Sequence, residues 1–542
     1  MSHAGLVAGL VWVLLGAGCR APASEPRLVL LLVVDQLRAD RLDPELPGGL
    51  GRLAREGRVF ADAALDHAFT ETCPGHVAAS TGRHPGPVGV PGNEWVDAEA
   101  GERFYCVDDP SPEARTLGGS QGRSPHAIGA TALGDWLKWA HPEAKVFSVS
   151  AKDRAAIGLG GQRPDAAYWL DRTEALGFTT SRWYREALPE WVERFNGKGA
   201  SGFVAALPAE WQHATGSPAN GARPDPHPRE MDRFSATSPH PLAGAERAQT
   251  LERLSVTPYL DDVTLDFARA LVSREGLGDD PVPDLLAVSL SAADLVGHYY
   301  GPWSQESRDA LLRLDRSLGR FLDALEAQVG REGLVVALTS DHGVLALPEW
   351  LSESGLSNCP ILGGRVDARG LLAALGTNLD EAFGVEGAEA GPWIHEAGTR
   401  FTVNDVRSRA TGVPPDAILG RARRFFEAQP VVARVWTAAE IAAGDGPEPF
   451  ASLYRNSHHP TRGGDMVVQT IPDCLVSPYS AGTSHGSPYR YDRAVPLVVA
   501  GAGVVPGVVR GRASVVDLAP TLAALLGIPT PGDLDGSALP LR

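Results

Sequence analysis

Apolar residues in this chain come in short unbroken runs that each stop at a polar or charged group. Residues 27–34 read RLVLLLVV and stop at Asp35. Residues 284–290 read DLLAVSL, 334–338 read LVVAL and 495–500 read VPLVVA. Runs without alternation fit strands buried on both faces, as in a parallel sheet. Residues 145–150, KVFSVS, form a further strand of this kind. Between the runs the period changes. Leu311, Leu314, Leu318, Phe321, Leu322, Leu325 and Val329 repeat at helical spacing and predict a helix over 304–329 with one face on the core. Further helices are predicted at 48–57, 127–140 (ended by Pro142), 261–275, 415–428 and 515–526. Strands alternating with helices argue for an α/β fold built from βαβ units.

In such sheets, ligands collect at the carboxyl ends of the strands. Asp35 stands there, and so does the Thr339-Ser340-Asp341-His342-Gly343 stretch. Asp294 and His298 follow the 284–290 run by a few residues, and Lys152-Asp153-Arg154 follows the 145–150 run. The segment Thr72-Cys73-Pro74-Gly75-His76 reads as a helix start, with Thr72 at or near the cap and Pro74 in the first turn. Free N–H groups and the positive dipole end make such a start attractive to anions. Downstream, Gly92-Asn93-Glu94-Trp95 supplies a neutral amide on a turn, and Thr483-Ser484-His485-Gly486 precedes the last buried run. Carboxylates and imidazoles together make a zinc-type donor set, here Asp35, Asp294, Asp341, His298, His342 and His485.

Composition narrows the partners. The chain has 542 residues, with 49 Lys and Arg against 66 Asp and Glu, a formal charge of −17. That balance argues against dedicated nucleic-acid binding and leaves room for a local basic pocket. Residues 4–18 form an apolar run too short for a comfortable membrane span. It fits an export signal over 1–19, and Gly16-Ala17-Gly18-Cys19 resembles a lipoprotein cleavage box, so Cys19 is a candidate for lipidation and membrane attachment. Residues 20–26 would be a tether. Export would leave Cys73, Cys106, Cys359 and Cys474 able to pair in any of three ways. Residues 212–247, rich in Pro, Gly, Ser and His, read as a long surface excursion. The expected organisation is a catalytic core over 27–354 with insertions near 97–126 and 155–260, a cap subdomain over 355–480, and a return to the core over 481–542.

Taken in order, Asp35, Thr72-Cys73-x-Gly75-His76, Gly92-Asn93-x-Trp95, Lys152-x-Arg154, Asp294-x3-His298, Asp341-His342-Gly343 and Gly482-Thr483-Ser484-His485-Gly486 resemble the alkaline phosphatase superfamily. Within it the chain is similar to the single-chain bacterial alkaline phosphatases related to nucleotide pyrophosphatase/phosphodiesterases, over roughly residues 27–527. The resemblance implies a largely parallel central sheet flanked by helices, with an inserted cap. It also implies two zinc ions, one on Asp294, His298 and His485, the other on Asp35, Asp341, His342 and the Thr72 oxygen. Thr72 would be the nucleophile and form a phosphothreonine on small phosphorylated substrates. Asn93 and a backbone N–H near Cys73 would hold phosphoryl oxygens. The Lys152/Arg154 pair would favour phosphate monoesters, with a type I phosphodiesterase as the alternative. The Arg that follows the nucleophile in sulfatases is absent from the Thr72 motif.

Overall fold

The structure is a computed structural model and describes residues 26–97, 101–197, 202–214, 222–231, 233–385 and 391–542. The expected export signal, Cys19 and nearly all of the tether lie outside these residues. A sheet of nine strands runs through the core. Its order is Gly507–Ser514, Arg58–Ala64, Leu497–Gly501, Leu334–Thr339, Leu28–Val34, Asp284–Leu290, Val146–Ser150, Ala166–Asp171 and Gly177–Thr179. Five adjacent strands, from Leu334–Thr339 to Ala166–Asp171, are parallel. Leu497–Gly501 runs antiparallel to both neighbours, and Gly177–Thr179 closes one edge antiparallel.

The unbroken apolar runs follow from burial on both faces. Leu28, Leu30, Leu32 and Val34 pack with Leu265, Leu271, Leu314, Leu318 and Phe321 from the Tyr259–Glu275 and Gln305–Val329 helices. Val29, Leu31 and Val33 point the other way, onto Leu133, Trp136, Leu518 and Leu522 from the Leu133–Ala140 and Leu518–Leu526 helices. Each strand therefore carries one apolar set for each face.

Two expectations change here. The helix predicted over 127–140 starts only at Leu133. Ahead of it Gly129 N–H donates to the Val88 carbonyl, and the Asp135 carboxylate accepts from the Ala132 N–H, which fixes the start. The 212–247 segment is not simply a surface excursion, because Arg223, His227, Glu230, His240 and Leu242 are buried. Arg223 and Glu230 are buried as an ion pair, and a hydrophobicity pattern does not register that.

Between 355 and 480 lies a separate antiparallel sheet in the order Ile394–Ala397, Arg400–Val403, Met466–Thr470, Val432–Thr437. The Ala368–Phe383 and Pro415–Glu427 helices cover it through Leu375, Leu379, Ile418 and Phe426. The four described cysteines form two disulfides, Cys73–Cys106 and Cys359–Cys474.

Candidate active site

Four neighbouring parallel strands deliver the candidate residues to one edge of the sheet. Asp341 and His342 follow Leu334–Thr339, Asp35 follows Leu28–Val34, Asp294 and His298 lie just after Asp284–Leu290, and Lys152 follows Val146–Ser150. Leu497 lies opposite Thr339 in the next strand, which runs the other way. Its amino end therefore lies at the same edge, and His485 reaches the cluster from the segment that precedes it.

Two donor sets result, Asp294 with His298 and His485, and Asp35 with Asp341 and His342. In the first, the Nε2 atoms of His298 and His485 lie 3.2 and 3.7 Å from Asp294 Oδ1. In the second, His342 Nε2 lies 3.4 Å from Asp35 Oδ1 and 3.5 Å from Asp341 Oδ2. The His342 and His485 rings stack with centroids 3.6 Å apart, so the sets adjoin.

All three imidazoles are oriented alike. Nδ1 donates to the carbonyl of Thr483 from His298 at 2.8 Å, of Gly343 from His342 at 2.9 Å, and of Thr70 from His485 at 2.7 Å. That fixes the tautomer and leaves the Nε2 lone pair facing the carboxylates, the arrangement metal-binding histidines use. Asp35 Oδ1, Asp341 Oδ2 and His342 Nε2 are buried without a hydrogen bond. Lone pairs facing carboxylates in a dry space are unfavourable until a proton or a cation lies between them. The donor chemistry and these unbonded atoms fit two borderline divalent ions such as zinc.

The electrostatics differ between the rings: burial lowers His342 and His485, whereas at His298 the Asp294 charge outweighs burial and raises the ring above its ordinary value. Burial, then the charges of Asp294 and Asp341, pushes the Asp35 carboxyl well above its ordinary value. Burial also opposes ionisation of Asp294, but the Lys152 and His298 charges outweigh it and hold Asp294 well below. Burial, then the neighbouring His342 and His298, depresses His485 and keeps the ring neutral, as ligation requires. Lys152, expected to act on substrate oxygens, lies at the same edge of the sheet. Its ammonium bridges Asp35 and Asp294, at 2.6 Å from Asp294 Oδ2. Three buried carboxylates and one ammonium leave a formal excess of two negative charges. That charge repels a phosphate, and two divalent ions would reverse its sign.

Thr72 is the first residue of a buried helix, Thr72–Thr81, whose N-cap is Glu71 and not Thr72 itself. The helix lies directly on Asp341. A Cβ on Gly75 would fall 2.3 Å from the Asp341 carbonyl oxygen, and His76 Nδ1 is 3.3 Å from Asp341 Oδ2. Arg154 reaches the nucleophile candidate, with Nη2 3.3 Å from Thr72 Oγ1. Asn93 Oδ1 accepts from the Cys73 N–H at 2.8 Å. That N–H, expected to hold a phosphoryl oxygen, is therefore engaged by Asn93, and the Asn93 NH2 remains as the side-chain donor.

Several residues here carried no legible signal of a role. Tyr105 Oη accepts from Arg154 Nη1 at 3.2 Å and donates to Asp153 at 2.6 Å. The Cys73–Cys106 disulfide ties the Tyr105 segment to the Thr72 helix. Gln36 donates to Asp294 at 2.6 Å through its side chain and to Asp341 at 3.1 Å through its backbone, with φ at 68°, a strained angle for a residue other than glycine. Glu71 accepts from the Asn93 N–H at 2.7 Å and from Arg400 at 3.1 Å. Only adjacency to Asp35 and Thr72 could have pointed to Gln36 and Glu71.

Residues 29–368 match the family model described as type I phosphodiesterase / nucleotide pyrophosphatase. The chain belongs to this family. It is 29% identical to alkaline phosphatase PafA of Elizabethkingia meningoseptica over 97% of this chain and 96% of that one. It is 31% identical to alkaline phosphatase PhoK of Sphingomonas sp over 96% of this chain and 92% of that one. The crystal structure of wild-type PafA superposes with a TM-score of 0.87 at 28% identity, covering 96% of this chain and 99% of that chain. This family member is a phosphoric ester hydrolase on the α/β sheet described above.

Proposed function

We propose that the protein is an exported, zinc-dependent alkaline phosphatase that hydrolyses small phosphate monoesters through a phosphothreonine at Thr72. The relatives named alkaline phosphatases support the class. The observation that carries the monoester reading is the Arg154 guanidinium beside Thr72 Oγ1, braced by Tyr105 and neighboured by Lys152. A monoester presents about two negative charges and three free oxygens, which a planar guanidinium matches better than it matches a diester. A cavity of about 230 Å³ beside this pair is lined by Arg123, Lys152, Arg154 and Arg172 together with Asp153, Asp171 and Glu174.

Asp294, His298 and His485 would hold one zinc ion, and Asp35, Asp341 and His342, with Thr72 alongside, the other. Bound there, the ions would supply positive charge that lowers the pKa of the Thr72 hydroxyl and stabilises the leaving oxygen. Thr72 Oγ loses its proton to solvent and attacks phosphorus, the ester P–O bond breaks, and the leaving oxygen takes up a proton from solvent and departs as the alcohol. Arg154 and the Asn93 NH2 donate to the non-bridging oxygens as charge spreads over them. Water then cleaves the Thr72–phosphorus bond, releasing phosphate and restoring the hydroxyl. The 355–480 unit would act as a cap, since Arg400 from its sheet holds Glu71 next to the nucleophile.

The two disulfides support an oxidising, extracytoplasmic location, and Cys19 would be a lipid anchor. Labelling cells with radioactive palmitate tests the anchor, and an unlabelled protein removes it. For the activity, an aryl phosphate monoester and a bis-aryl phosphate diester are compared on zinc-loaded protein. The wild type should favour the monoester, and Lys152→Ala with Arg154→Ala should depress that reaction far more than the diester. A wild type that favours the diester would instead make the protein a phosphodiesterase.

A further inference from the structure

A second cluster of metal-type donors lies where the 210–241 segment meets the first turn of the Gln305–Val329 helix. The short strands Glu210–Trp211 and His240–Pro241 pair antiparallel, and His213 and His240 come together beside Glu306. Glu306 is fully buried, and neither of its carboxylate oxygens accepts a hydrogen bond. The Nε2 atoms of both imidazoles are also buried and unbonded. Both lie near the same oxygen, His240 Nε2 at 3.4 Å and His213 Nε2 at 3.7 Å from Glu306 Oε1. An N–H···O bond spans about 2.7–3.2 Å. Two ligands of a tetrahedral zinc, each about 2.0–2.1 Å from the metal, sit about 3.3–3.5 Å apart. The observed spacing suits an ion better than a shared proton.

The tautomer of His240 points the same way. Tyr300 Oη lies 3.2 Å from the Ser235 carbonyl and 3.2 Å from His240 Nδ1. A carbonyl only accepts, so the one hydroxyl proton goes to Ser235, and the hydroxyl oxygen accepts from Nδ1–H. The neutral ring then carries its lone pair on Nε2, aimed at a carboxylate. That contact is repulsive until a cation lies between. The same Nδ1 anchoring is seen in His298, His342 and His485.

Charge adds a third argument. Asp225 and Glu230 bring carboxylate oxygens within 4.8 Å of Glu306. Glu230 is engaged by Arg223 at 2.5 Å and by the His227 N–H at 3.1 Å. Asp225 Oδ1 has no hydrogen bond. Three carboxyl groups therefore gather beside the Arg223 guanidinium.

We propose that His213, His240 and Glu306 bind a structural zinc ion, separate from the two at the Thr72 site. The ion would pin the 210–241 segment to the Gln305–Val329 helix. The effect reaches the catalytic edge through the backbone. Arg223 N–H donates to the Trp303 carbonyl at 2.9 Å, Met231 N–H to Tyr299 at 2.9 Å, and Gly482 N–H to the Arg229 carbonyl at 2.7 Å. The last of these holds the loop that carries His485. The ion is therefore a positioning element and not part of the chemistry.

The test is anomalous diffraction at the zinc edge on crystals of the zinc-loaded wild type, with metal content measured by mass spectrometry. The expected result is a peak bounded by His213, His240 and Glu306, resolved from those at Asp35 and Asp294, and three zinc ions per chain. In Glu306→Gln and His240→Ala that peak should vanish and the content fall to two, with a lower melting temperature. Peaks at the Thr72 site alone in the wild type would overturn the proposal without touching the proposed activity. So would folded variants that still bind three ions.

Discussion

Gly75→Ala tests the link between the Thr72 helix and the donor cluster. The added methyl would sit 2.3 Å from the Asp341 carbonyl oxygen and 2.6 Å from its Cα and Cβ, where ordinary contact begins near 3.4 Å. None of these atoms belongs to the flexible end of a side chain. The helix and the Asp341 turn must therefore separate by about 1 Å, an overpacking strain of about 1–3 kcal/mol. The same displacement moves Thr72 away from Asp341 and His342. A misplacement of about 1 Å at a reacting group costs about 100-fold in rate. The assay is kcat for an aryl phosphate monoester on zinc-loaded protein, with zinc content and melting temperature as controls. The expected result is a folded, zinc-replete variant slower by about 100-fold. Wild-type kcat together with a wild-type melting temperature would refute the packing of this helix against Asp341.

Other outcomes follow from other contacts. Tyr105→Phe removes the hydroxyl that braces Arg154, so monoester kcat/KM should fall about 10-fold, the loss of about one charged hydrogen bond. In an Arg154→Ala background the same change should cost nothing more, and additive losses would show that Tyr105 acts independently. Arg400→Ala leaves Glu71 without its guanidinium and the carbonyls of Pro91 and Glu94 without a donor; urea unfolding should show a loss of about 3 kcal/mol, and a loss below 1 kcal/mol counts against that role. Burial pushes the Asp261 carboxyl up to about 7. From about pH 4 to 7 the folded chain holds a proton the unfolded chain has released, so stability drops as pH rises across that window, by up to about 4 kcal/mol. Asp261→Asn should flatten the melting temperature between pH 5 and 8, and an unchanged slope would dismiss this residue as the cause. Dialysis against a strong zinc chelator should abolish turnover and added zinc restore it; full activity in demonstrably metal-free protein would rule out the metal assignment.

The strands were legible because burial on both faces leaves little but apolar side chains in Leu28–Val34, Asp284–Leu290 and Leu334–Thr339. Direction was not legible. An apolar run reads the same whichever way it points, so the reversed Leu497–Gly501 strand looked like any other. The six donor residues stood out because an Asp or His beside a buried run is chemically conspicuous. Arg400 did not, since its partners Glu71, Pro91 and Glu94 lie more than 300 positions away. Lys152 was conspicuous too, but its turn toward Asp35 and Asp294 depends on a charge balance that exists only after folding. Within 212–247 the burial of Arg223 and Glu230 was not legible, because the two go in as an ionic pair.

The reversed strand also sets when the molecule can become competent. His485 is supplied from its amino-terminal side, after every other candidate donor, whereas its companions Asp294 and His298 are made far earlier. A nascent chain, or one cut short by a premature stop before His485, can lay down most of the parallel sheet and still lack a ligand. On the proposed mechanism, competence waits on synthesis of the His485 segment, and a product that stops before it would be inert, not partly active.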